Sequence, residues 1–253
     1  MTAILAALGA AFVAGAMNAM AGGGTLVTFP TLVALGLDPR IANATSTVGL
    51  WMGALGGVFG FRRELRSPLA HQALRRLLLP ATVGAALGAW LLVSTPSVLF
   101  QRVAPFLVLG ATLTFALQDR VRRFSADVAQ AVTPRARFAL VLAETVIAAY
   151  GTYFGAGLGI LLLTVFAAAG VRDLKLGNAV KAVLIFLING VGGVLFAFSG
   201  VVDWPSAAAI AAGSFCGGIA GASLSRRLPV RAVRASIIVV GLTVGTALLL
   251  RME

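Results

Sequence analysis

The chain has 253 residues, of which 59% are hydrophobic and only 11% charged. Soluble domains run near half apolar and a quarter charged, so too little polar surface is present to cover a water-exposed globule. Disorder, collagen and coiled coil are excluded on the same grounds, and the mean hydropathy is +0.99. One cysteine, Cys216, and one histidine, His71, leave no material for a disulfide framework, a thiolate zinc site or a histidine-based metal centre. The composition is that of an all-α polytopic membrane protein.

The net charge of +12 does not point to nucleic acid. Fourteen of the twenty Lys and Arg fall in three short loops between apolar runs. Arg62, Arg63, Arg66, Arg75 and Arg76 form the first. Arg120, Arg122, Arg123, Arg135 and Arg137 form the second, and Arg226, Arg227, Arg231 and Arg234 the third. They lack the interleaved aromatics of a nucleic-acid face and read as topology determinants beside anionic headgroups. No Lys or Arg precedes Arg40, so a signal-peptide n-region is not expected.

A bilayer core about 30 Å thick needs about 20 apolar residues in a helix. In chain order, stretches 41–61, 77–94, 97–118, 174–198, 205–225 and 229–250 meet that length. Two others, 3–37 and 137–171, are too long for one span and are broken by glycine. The first break is Ala21-Gly22-Gly23-Gly24. The second is Gly151-Thr152-Tyr153-Phe154-Gly155-Ala156-Gly157-Leu158-Gly159. Three crossings between the second and third arginine clusters would put them on opposite faces, against the positive-inside rule. If 137–171 bends back as a re-entrant hairpin, two crossings remain and the clusters share the cytoplasm.

Residues 3–37 read the same way. The turn Gly36-Leu37-Asp38-Pro39-Arg40-Ile41-Ala42-Asn43 parallels Gly170-Val171-Arg172-Asp173-Leu174-Lys175-Leu176-Gly177-Asn178 with one inserted residue. The expected organisation is a first repeat over 1–118, a cytoplasmic linker over 119–136 and a second repeat over 137–253. Each repeat is a glycine-tipped hairpin plus three spans, the second inverted, with both chain ends outside. Inverted repeats with discontinuous helices are the architecture of secondary transporters.

Past each break a new helix is predicted, near Thr25 and near Leu158. A helix N-terminus offers unpartnered N–H groups and a positive dipole end. Glycine allows a ligand to approach them closely. Two such ends meeting near the midplane would form an anion site, with Gly22, Gly23, Gly24, Thr25, Gly155, Gly157 and Leu158 lining it. Asn43, Thr45 and Ser46 (with Thr47) and, in the second half, Asn178 and Lys181 are the candidate side-chain ligands. Lys181 is an intramembrane cation, a functional candidate by default. Asn18, Glu144, Tyr150, Tyr153 and Asn189 are expected around this site or in coupling, Glu144 as a counter-charge to Lys181 or a proton carrier. Trp51, Trp90 and Trp204 read as interface anchors or packing, Cys216 as part of a small-residue helix contact. Pro80 and Pro105 read as kinks or helix starts, and His71 as solvated.

The run Ala14-Gly15-Ala16-Met17-Asn18-Ala19-Met20-Ala21-Gly22-Gly23-Gly24-Thr25-Leu26-Val27-Thr28-Phe29-Pro30, continued at Ala42-Asn43-Ala44-Thr45-Ser46, resembles the first half of the sulfite exporter TauE/SafE family, also called the toluene sulfonate uptake permease family. Phe154-Gly155-Ala156-Gly157-Leu158-Gly159 and Asn178-Ala179-Val180-Lys181 are similar to its second motif. The resemblance implies a bacterial inner-membrane transporter of sulfite, sulfoacetate or a related organosulfonate, with the glycine tips and Lys181 in the site. Neither cofactor nor metal is expected. The expected partners are the small anion and the lipid bilayer, with a homodimer left open. An anion channel of the same build, a carrier of a non-sulfur carboxylate, and a membrane assembly factor are the alternatives. An intramembrane enzyme lacks a nucleophile and base.

Overall fold

The computed structural model describes residues 2–20, 22–128, 134–168, 173–224 and 230–250. The described residues hold ten α-helices and no strand. In chain order they are α1 (Thr2–Met20), α2 (Thr25–Ala34), α3 (Pro39–Gly60), α4 (Pro68–Ser94) and α5 (Ser97–Val128). The second set is α6 (Pro134–Tyr153), α7 (Leu158–Ala168), α8 (Leu174–Ala197), α9 (Trp204–Leu224) and α10 (Val230–Leu250). The two overlong runs thus each divide into two helices at glycine, with α2 and α7 starting at the predicted residues.

Helix starts follow local chemistry. Asp38 caps α3 by accepting from the N–H groups of Arg40 at 2.9 Å and Ile41 at 3.4 Å, with Pro39 preset for the first turn. Asp173 caps α8 in the same way, accepting from Lys175 N at 2.8 Å. The other carboxylate oxygen of Asp38 takes Gln101 Nε2 at 2.9 Å. Arg40 donates to the Thr95 carbonyl at 2.9 Å, closing the C-terminus of α4.

Helices α5, α4 and α10 reach past their apolar stretches. Arg120, Arg122 and Arg123 therefore lie on α5, Arg75 and Arg76 on α4, and Arg231 and Arg234 on α10, rather than in loops. Helices are held by backbone bonds and tolerate arginine well, so they continue beyond the point where hydropathy falls. Helix α5 runs to Val128 and α6 begins at Pro134. In the first cluster Arg62, Arg63, Arg66, Arg75 and Arg76 are all exposed, as is His71. Ala21, Gly170, Val171, Arg172, Arg226 and Arg227 lie outside the described residues, as do the side chains of the other clustered arginines.

Among the described residues four helices are long and apolar enough to cross a bilayer: Pro68–Ser94, Ser97–Thr114, Lys175–Ala197 and Trp204–Ser223. That is fewer than the six stretches expected. The first turns of α3 carry Arg40, Asn43, Thr45, Ser46 and Thr47, which lower its hydropathy.

Packing relies on small residues, as expected where lipid supplies no hydrophobic drive between helices. Gly84 and Gly88 of α4 lie on α6, where a Cβ would sit 2.1 Å from Thr145 O and 2.0 Å from Ala149 O. Gly213, Gly217 and Gly221 of α9 lie on α1 in the same manner, with Gly217 facing Phe12 O at 2.0 Å. These two contacts correspond when α1–α5 are exchanged with α6–α10. So do α3 on α9 and α8 on α4, α5 on α7 and α10 on α2, and the pairs α3–α8 and α5–α10, which map onto themselves.

One expectation changes here: Cys216 is exposed, although its glycine neighbours form the predicted contact face. Of the two roles read for Trp51, anchor or packing, it takes packing, between α3 and α8 with its ring over Gly190 and 5.6 Å from Phe186. Trp90 and Trp204 are exposed, and Pro80 and Pro105 lie inside α4 and α5.

Gly88→Ala and Gly217→Ala should each lower the stability of the purified protein by about 1–3 kcal/mol, because backbone must shift. Thermal unfolding checks this, with Gly110→Ala, whose Cβ would meet nothing within 4 Å, leaving the transition in place.

Candidate anion site at the helix breaks

The two breaks touch. Gly22 has φ +85, open to glycine without strain, and a Cβ there would lie 2.3 Å from Gly159 Cα. A Cβ on Gly155, at φ +79, would lie 3.3 Å from Thr25 Oγ1. The first turn of α2 therefore faces the glycine loop before α7, packed beside Phe29, Phe100, Phe154 and the half-buried Tyr153.

Each break presents the C-terminus of one helix and the N-terminus of the next. The C-terminal carbonyls are captured by donors from the other half. Asn43, fully buried on α3, donates Nδ2 to Tyr153 O at the end of α6, 2.8 Å away. Lys181, fully buried on α8, donates Nζ to Ala19 O at the end of α1, 3.2 Å away, and to Asn178 Oδ1 at 2.8 Å. Asn43 Oδ1 is buried without a hydrogen-bond partner. Because a carbonyl only accepts, the bond to Tyr153 fixes which end of the amide is left over.

The N-terminal ends differ. Gly24 caps α2 with no side chain, so that end carries no side-chain cap. Thr28 Oγ1 donates to Gly24 O at 3.3 Å and shares a short hydrogen bond with Ser46 Oγ, which brings α3 against the first turn of α2. At the second break Gly155 and Gly157 both have positive φ. Tyr150 donates its hydroxyl to Ala156 O at 2.7 Å and so braces the loop from inside. Leu26, Leu158 and Ile160 direct their N–H groups to Gly23, Gly155 and Gly157 within the turns.

The predicted residues divide accordingly. Gly22, Gly23, Gly24, Thr25, Gly155, Gly157, Asn43 and Ser46 converge on the touching breaks. Lys181, Asn178 and Asn18 converge on the end of α1. Asn18, Ala19, Gly53, Ala54, Gly57, Lys181, Ala182 and Ile185 line a cavity of about 10 Å³ there, at the lower bound for one water. Thr45 is not brought to the breaks; its hydroxyl accepts from Asp203 N at 2.9 Å, just before α9. Leu158 lays its side chain over Gly151. Asn189 is buried farther along α8, and Tyr153 stacks on Phe100 at 5.8 Å. Glu144 is fully buried, and neither carboxylate oxygen has a hydrogen-bond partner, so it does not hold the Lys181 ammonium. Thr28 was missed by sequence reading; its signal was its place one turn past Gly24.

Removing the Tyr150 hydroxyl leaves Ala156 O unmatched inside the protein, a cost of about 1–3 kcal/mol. Tyr150→Phe should lower the unfolding temperature accordingly, measured on the purified protein; an unchanged temperature would show that the brace carries no weight.

The family model for "Sulfite exporter TauE/SafE" matches residues 7–248. A "Probable membrane transporter protein" of Haemophilus influenzae is 29% identical, over 84% of this chain and 81% of its own length. "Probable membrane transporter protein ORF9" of Sinorhizobium sp is 28% identical, over 95% and 90%. "Probable membrane transporter protein YfcA" of Escherichia coli K12 is also 28% identical, over 94% and 87%. No solved structure matches. The glycine-broken helices, the polar start of α3 and the Asn178–Lys181 pair all fall within the matched region, and the chain belongs to the sulfite exporter TauE/SafE family of multi-pass membrane transporters.

Proposed function

We propose that the protein is a secondary transporter that exports a small sulfur-containing anion, such as sulfite, sulfoacetate or another organosulfonate, across a bacterial inner membrane. The observation that carries this reading is Lys181: a fully buried lysine at the end of α1, beside the first break, held by a carbonyl and an amide oxygen rather than by a carboxylate. Such a charge inside lipid calls for a negative guest. Its present acceptors are neutral, and an anion competes with them on favourable terms.

In this reading the guest's oxygens take backbone N–H groups from Gly23 and Gly24 at one break and Gly157 and Gly159 at the other. Ser46 and Asn178 supply neutral polar contacts, and Lys181 supplies the charge. Both breaks are re-entrant, the second half is inverted relative to the first, and both termini face the periplasm. The exchange of contacts between α1–α5 and α6–α10 supports the repeat, and the family's own description supports sulfite-like cargo.

The cavity beside Lys181 has too little room for such a guest. Binding then requires the breaks to part, which favours a carrier with alternating access over a standing channel.

Flux of labelled sulfite from proteoliposomes tests the reading, with Lys181→Ala beside wild type. Saturable flux in wild type that falls about a hundredfold in the variant is the expected result, the loss of one charge-assisted contact to a buried guest. Unchanged flux in a folded variant removes Lys181 from the mechanism.

A further inference from the structure

We infer that the site accepts monoanions, such as hydrogensulfite or a simple sulfonate, and discriminates against dianions, sulfoacetate with its second, carboxylate charge among them, and that the neutral side chain of Ser46 sets this limit. The inference rests on the anion-carrier reading above.

The two halves align at their caps. Asp38 opens α3 and Asp173 opens α8, each accepting from the N–H two residues on. Five residues after each stands an asparagine, Asn43 and Asn178, each followed by alanine. Eight residues after each cap the halves diverge, Ser46 in the first and Lys181 in the second. Both are fully buried. Both also address the first break: Ser46 reaches it through Thr28 at the first turn of α2, Lys181 through Ala19 at the last turn of α1. Helices α3 and α8 pack on each other, which brings the two side chains to the two ends of that break, Ser46 to the start of α2 and Lys181 to the end of α1.

The charge balance then follows. Every break joins a helix C-terminus to a helix N-terminus, whose partial charges of about half a unit are opposite in sign and largely cancel. The whole charge available is the single one on Lys181. Among the described residues the other fully buried ionisable group is Glu144, whose sign only subtracts. A guest with one negative charge is matched. A second negative charge has no partner in a low-dielectric interior, where an unpaired charge is strongly disfavoured. Ser46 offers only a hydroxyl dipole, already shared with Thr28.

Two probes of similar size and fixed charge at neutral pH separate the cases: methanesulfonate, a monoanion, and sulfate, a dianion. Equilibrium binding of each, radiolabelled, is measured on the purified wild type, Ser46→Lys, and the double variant Ser46→Lys with Lys181→Ser. Wild type should bind methanesulfonate about tenfold or more tightly over sulfate, and Ser46→Lys should shift that ratio toward sulfate by about tenfold or more. The double variant, which moves the single cation across the repeat, should keep the preference for methanesulfonate. Sulfate bound as well as methanesulfonate by wild type overturns the inference while leaving the carrier reading intact. A folded Ser46→Lys with an unchanged ratio also overturns it. Should Ser46→Lys fail to fold, the wild-type ratio decides alone. Binding of neither probe by wild type, with sulfite and sulfoacetate also unbound, removes the carrier reading and the charge limit with it.

Discussion

A helix that stops inside an apolar protein exposes backbone groups that lipid cannot satisfy, so every break must be closed by protein. This chain has two such breaks, and it closes each from the opposite half. Asn43 on α3 holds the Tyr153 carbonyl at the end of α6, and Lys181 on α8 holds the Ala19 carbonyl at the end of α1. The glycines at the tips let the loops approach to backbone contact, which a side chain would prevent. The site, the packing of α3 on α8 and the placement of the buried charge all depend on this mutual closure.

The closure is not symmetric. One half uses a neutral amide, and the other uses a cation supported by Asn178. An amide is a permanent brace, whereas an ammonium exchanges its acceptors readily for a better one. A negatively charged guest is a better one, so its arrival would loosen α1 from α8 while leaving α6 tied to α3. The proposed carrier therefore has its weak seam built into the side that carries the charge.

Much of this was legible in the sequence. The helix breaks before Thr25 and around Gly155 followed from run length and glycine content, and α2 and α7 begin where those breaks placed them. The Asp-containing turns before Asn43 and Asn178 revealed the repeated pattern. What stayed hidden were contacts between distant segments. That Thr45 faces Asp203, that Trp51 packs over Gly190, and that Glu144 and Lys181 do not meet all depend on helix rotation and docking. Hydropathy left Arg62 and Arg63 rightly in a loop but misplaced Arg75, Arg76, Arg120, Arg122, Arg123, Arg231 and Arg234, because backbone hydrogen bonding carries a helix past the end of its apolar stretch.

The central claim is that the breaks enter and leave by one face and meet inside the protein. Side-specific labelling tests it most directly, using single cysteines in place of Phe138 and Lys175, both exposed, on a Cys216→Ser background. The account predicts that both positions react with an impermeant maleimide from the cytoplasmic side alone. Reaction of the two from opposite sides would mean that α6 and α7 cross the membrane, and would contradict it.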